Sequence, residues 1–153
     1  MARSVSTFAL VALVALSVAV VARGSACGAD LVAAGEDLGK AAANVGHAVT
    51  DCGSGKNATG CAMDIESLVQ NIDYAATEVT QAVKDCGASN NTACATDLES
   101  LANSIDSAAE DATSALTNCK AKNVACIQDV VGIALDLGSI VKEIGVATKV
   151  CKV

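Results

Sequence analysis

Residues 61–86 read CAMDIESLVQNIDYAATEVTQAVKDC, and within them Cys61, Ile65, Leu68, Ile72, Ala75, Val79, Ala82 and Cys86 step by four, three, four, three, four, three, four. Apolar residues at that alternation share one face of an α-helix, and no strand reproduces it. Three further segments repeat the pattern. One runs through Cys27, Leu31, Ala34, Leu38, Ala41, Val45, Ala48 and Cys52, and the next through Cys94, Leu98, Leu101, Ile105, Ala108, Ala112, Ala115 and Cys119. The last runs through Cys126, Val130, Ile133, Leu137, Ile140, Ile144, Ala147 and Cys151. Each segment opens and closes on cysteines twenty-five positions apart, and six to eight residues separate one segment from the next. The chain is a four-fold C-x24-C repeat of about 33 residues.

These patterns predict an all-α protein, an up-down-up-down antiparallel four-helix bundle with helices near 28–52, 62–86, 95–119 and 127–151. A helical solenoid is the competing fold and would hold Cys27 and Cys151 far apart. Asp30, Asp64, Asp97 and Asp129 each stand three residues after a cysteine, and we expect them to cap the first turns. Gly53 and Gly87 follow closing cysteines and are expected to stop the first two helices. Proline is absent, so nothing kinks the helices.

The chain before Cys27 is different. Arg3 precedes an apolar run from Phe8 that ends in the small residues Gly24, Ser25 and Ala26. Residues 1–26 read as a secretory signal peptide, and 27–153 as the bundle domain. The run is short for a membrane span, so no stable membrane insertion is expected after cleavage. The formal charge is −7 over the whole chain, and loss of Arg3 and Arg23 leaves eight lysines against seventeen carboxylates. Such an acidic surface argues against nucleic acid and anionic membranes as partners.

Secretion and an even cysteine count imply disulfides. An antiparallel bundle gathers Cys27, Cys86, Cys94 and Cys151 at one end and Cys52, Cys61, Cys119 and Cys126 at the other. The shortest connections are Cys52–Cys61, Cys86–Cys94 and Cys119–Cys126 across the three turns, with Cys27–Cys151 fastening the first helix to the last. Zinc is the alternative use for cysteine, but the closest pair has six intervening residues, wider than the usual knuckle. No metal and no cofactor is expected. One histidine, His47, lies off the seam, and no phosphate-binding glycine loop, G-x-S-x-G elbow or H-E-x-x-H motif occurs, so no catalytic residue is expected.

The alanine-rich seams bury little area per residue, which accounts for covalent staples and also leaves an apolar guest as an option. Tyr74 is the sole aromatic after the leader. Asn57 and Asn90 head acceptor sequons for glycosylation in the first and second connections. One position beside the seam divides the repeats. It reads Glu66, Asp73, Thr80 and Glu99, Asp106, Thr113 in the inner segments, but Val32, Gly39, Gly46 and Val131, Gly138, Gly145 in the outer ones. Either the first and last helices pack closely through this stripe, or the stripe, with Leu135 and Val146, docks a protein partner or a second copy.

In general plan the chain resembles small secreted helical inhibitors of the pectin methylesterase inhibitor type and saposin-like lipid binders, both disulfide-braced helical proteins. The four-fold x24 spacing belongs to neither. The function expected is therefore a secreted, non-enzymatic structural or protein-interaction module of the matrix, wall or surface-coat type. A carrier of a small apolar ligand or lipid comes second, and a secreted enzyme inhibitor third.

Overall fold

The computed structural model describes residues 26–54, 57–87, 91–121 and 125–151. The leader lies outside this range except for Ala26, as does Asn90. Four helices follow in order: α1 (Ala26–Ser54), α2 (Ala58–Gly87), α3 (Thr92–Lys120) and α4 (Ala125–Val150). There is no strand among the described residues. Consecutive helices pack on one another, and α1 also packs on α4, so the four close into an antiparallel bundle. Cys27 and Cys151 have sulfurs within 4.8 Å of each other, which excludes the solenoid.

The seam residues make the core. All are buried except Cys52 and Cys151, which are half-buried and packed against it. The largest fully buried side chains are leucines and isoleucines, among them Leu31, Leu38, Ile65, Ile72, Ile105 and Leu137. Alanines such as Ala41, Ala75, Ala108 and Ala147, all at 0 % exposure, fill the positions between them. Large and small side chains along one seam bring helices close while still filling the interior.

The helices start earlier than the cysteines suggest, and this corrects the expected caps. None of the four begins with an acidic first turn, so Asp30, Asp64, Asp97 and Asp129 do not cap. Asparagines do that work where caps are described. Asn91 has extended backbone (φ −92°, ψ 97°), and its Oδ1 accepts from the Cys94 amide at 3.3 Å. Its Nδ2 donates to the Val150 carbonyl at 2.9 Å, so one side chain satisfies the start of α3 and the end of α4. Asn57 Oδ1 accepts from the Gly60 amide at 3.0 Å, and its carbonyl accepts from the Cys61 amide. A Cβ at Gly60 would displace the side-chain ends of Asn57 and Asp51, so a larger residue there would disturb this cap. Nor does Gly53 stop α1, which continues to Ser54 with Gly53 inside the helix.

The disulfides are Cys27–Cys86, Cys52–Cys61, Cys94–Cys151 and Cys119–Cys126. Two of the four expected pairs form. Cys86–Cys94 and Cys27–Cys151 do not, although all four residues gather at one end as expected. The physical reason is register. Once Cys52–Cys61 sets α1 against α2, equal twenty-five-residue arms carry Cys27 and Cys86 to the same level, with Cα atoms 5.0 Å apart. The contact between α1 and α2 is the most extensive in the bundle, and that between α3 and α4 comes next. Each hairpin is therefore a ladder with a rung at both ends, and no disulfide joins one hairpin to the other.

Candidate functional site

Seven-residue periodicity assigns every surface stripe to a side of the bundle, and named contacts fix which side is which. On α1, Asp30 lies near Asp85 and Glu78 of α2, and Asp51 lies near Asp64 of α2. On α4, Asp136 lies against Asp111 of α3, and Asp129 accepts a 2.7 Å hydrogen bond from Asn118 of α3. These carboxylates therefore turn toward the partner helix within each hairpin. The opposite flank of α1 faces α4, as the 3.8 Å separation between the Gly53 Cβ direction and Ile127 confirms.

Crowded carboxyl groups inside the hairpins have shifted acidity. Asp30 is raised chiefly by burial and further by Asp85 and Glu78. Asp64 is raised by burial and by Asp51, with His47 acting in the opposite sense. Asp136 is raised by burial and by Asp111. One oxygen of Asp30 and one of Asp64 are buried without a hydrogen-bond partner, which penalises the charged form. Six of the seven carboxylates of α1 and α4 are half-buried, and Glu36 is the one that is exposed.

The α1/α4 flank is then left without a charged side chain on its outer stripe. Its outer stripe is Val32, Gly39 and Gly46 on α1 with Val131, Gly138 and Gly145 on α4. An added Cβ at Gly46, Gly138 or Gly145 would meet nothing within 4 Å. This overturns close packing of the two helices through the glycines; beneath the stripe they meet through residues such as Ala42, Val49, Ala134 and the buried Val141. What remains is an apolar strip of small residues, open before Gly46, Gly138 and Gly145, which we term the α1/α4 groove. Beside it Val131 and Leu135 are 47 % and 67 % exposed, and Val146, farther around α4, is 50 % exposed. The corresponding α2/α3 flank carries exposed Glu66, Asp73, Glu99 and Asp106, and Lys120 of α3 reaches Glu66 of α2 at 2.9 Å.

The other candidate residues are placed as follows. His47 is exposed, and Tyr74 is 60 % exposed on α2. Asn57, the first sequon asparagine, is exposed, but its Nδ2 donates to Asp51 at 2.8 Å, so the atom that would carry a glycan is engaged in the turn. The structural roles of Asn57 and Asn91 had a sequence signal, an asparagine just before each apolar series, which the cysteine spacing overshadowed. Among the described residues no helix is long and apolar enough to cross a membrane. Four intrachain disulfides fit an oxidising environment. No family model, curated protein or solved structure matches the chain.

Proposed function

We infer that the protein is a secreted, non-enzymatic structural or protein-interaction module, and that its working surface is the groove between α1 and α4. The observation that carries this is the contrast at one heptad position. The stripe that bears exposed carboxylates on α2 and α3 is valine and glycine on α1 and α4, with open space before Gly46, Gly138 and Gly145. Glycine inside an exposed helix costs about 0.5–1 kcal/mol relative to alanine. Close approach of another backbone is one use that such glycines serve. A partner helix or strand laid in the groove would bury Val32, Val131 and Leu135 and meet few charges that must lose water.

The test is native mass spectrometry of the mature protein purified from its host medium, alongside Gly39→Lys and Gly138→Lys variants. A protein complex or self-complex that the wild type forms and both variants lose supports the assignment. Complexes that survive both substitutions overturn the groove as the working surface. A small apolar mass released on denaturation would instead support the carrier. That second role is favoured by one observation, that every disulfide lies within a hairpin, so the interior can open between hairpins without breaking a covalent bond.

A further inference from the structure

The four cysteines at the turn end form a cluster as well as two bonds. Cys52 lies in the last turn of α1, Cys61 in the first turn of α2, Cys119 in the last turn of α3 and Cys126 in the first turn of α4, so each helix supplies one sulfur. All four sulfurs lie within 4.8 Å of one another, including those of different disulfides. Cys61, Cys119 and Cys126 are buried and Cys52 is half-buried. At the opposite end only Cys27, Cys86 and Cys151 meet that criterion, and Cys94 stands outside the set.

We propose that reduction of Cys52–Cys61 and Cys119–Cys126 converts this end into a tetrathiolate site for a soft or borderline d10 cation such as Zn2+ or Cd2+. A tetrahedron with metal–sulfur bonds of about 2.3 Å has edges of about 3.8 Å. The unbonded sulfurs are within an ångström or so of that edge by this standard, and the bonded pairs need only part to it. The ligand set is drawn from four helices held by the seam beneath, so the missing C-x2–4-C knuckle is replaced by tertiary structure. Cys61 and Cys126 sit in the first turns of α2 and α4, where the positive end of the helix dipole favours thiolate. Asp51, Asp64 and Asp129 stand at the same end and oppose a dianionic complex, whereas Lys120, beside Cys119, favours it.

The chemistry balances with a dithiol as reductant. Each disulfide takes two electrons and two protons from a dithiol, which leaves as its own disulfide. Four thiols then release four protons to water as four sulfur–metal bonds form. The oxidised protein has no free thiolate to offer, so the site is gated by redox state and is independent of the α1/α4 groove.

Two mature full-chain variants test this: one with Cys27, Cys86, Cys94 and Cys151 changed to serine, the other with Cys52, Cys61, Cys119 and Cys126 changed. Both are reduced with a phosphine, which is oxidised to its oxide as water supplies the oxygen and protons, and titrated with Co2+ under argon. The first should take up one Co2+ per chain with the intense visible bands of tetrahedral thiolate coordination and give it up to Zn2+. Adding Cys126→Ser to it should weaken binding at least tenfold, and the second variant should bind at least tenfold more weakly than the first. Circular dichroism follows helix content throughout. Equal binding by both variants, a stoichiometry other than one, weak octahedral bands, or a reduced first variant that stays unfolded with metal present would each overturn the proposal.

Discussion

The two flanks along which the hairpins meet use the same heptad position for opposite purposes. Between α2 and α3 the position carries Glu66, Asp73, Glu99 and Asp106, all exposed, with Lys120 bridging the two helices at Glu66. Between α1 and α4 it carries valine and glycine, and nothing fills the space before three of the glycines. Seam residues sit at equivalent depths on both sides. Repetition of one helical segment therefore dictates the interior, because every copy must bury the same stripe. The adjacent position is free of that demand, and there the inner and outer repeats have parted.

The most severe way to break the comparison is to show that the flanks also differ inside. Leu38 and Leu137 serve the α1/α4 side, and Ile72 and Ile105 occupy the same heptad position in α2 and α3, all at 0–1 % exposure. Each truncation to alanine is expected to cost about 2–5 kcal/mol in denaturant unfolding under non-reducing conditions. The two pairs should agree to within about 1 kcal/mol, since their burial is alike.

Acidity provides a second, smaller test, because the crowded carboxyl groups lie inside the hairpins and away from both flanks. Asp30, Asp64 and Asp136 have raised values in the folded protein. A raised carboxyl stabilises the fold fully only below its unfolded value of about 3.8, and that contribution is lost as pH rises through the folded value. The melting temperature should therefore climb as pH falls from 7 toward 4. Asp30→Asn and Asp136→Asn should each flatten the climb.

Glycine replacement sharpens the contrast further. Gly46→Ala and Gly138→Ala should each stabilise the isolated protein by about 0.5–1 kcal/mol, since the added methyl meets nothing and the helix loses less backbone freedom on folding. Destabilisation in both would mean that the groove is already occupied in solution. The smallest effect belongs to the acidic flank. Lys120→Ala should cost at most about 0.5 kcal/mol, less in high salt, because both partners of the Glu66 pair are half-exposed.

Much of this was legible in the residues. The four-three alternation gave the helices, their seams and nearly every buried residue, because burial of one stripe allows few other answers. The groove was visible as a change of residue type at one heptad position, but its openness was not, since sequence does not say how far two helices stand apart above an alanine layer. Disulfide pairing at the open end failed for a different reason. Four cysteines gather at the Cys27 end, and the shortness of the connection between Cys86 and Cys94 does not decide their pairing. The equal arms on either side of Cys52–Cys61 and Cys119–Cys126 held the answer, because antiparallel register carries a bond at the turn to the other end. Capping by Asn57 and Asn91 is masked by the cysteines, which mark the limits of the seams but not of the helices.

The ladder arrangement has a consequence for how the molecule meets a protease. A single cut anywhere from Cys27 to Cys86, or from Cys94 to Cys151, leaves its fragments joined through the rungs. Such a nick adds a water to the mass and releases nothing. Only the few residues between Cys86 and Cys94 form a single-stranded tether between the halves, so proteolysis there alone would set two intact, doubly bridged hairpins free of each other.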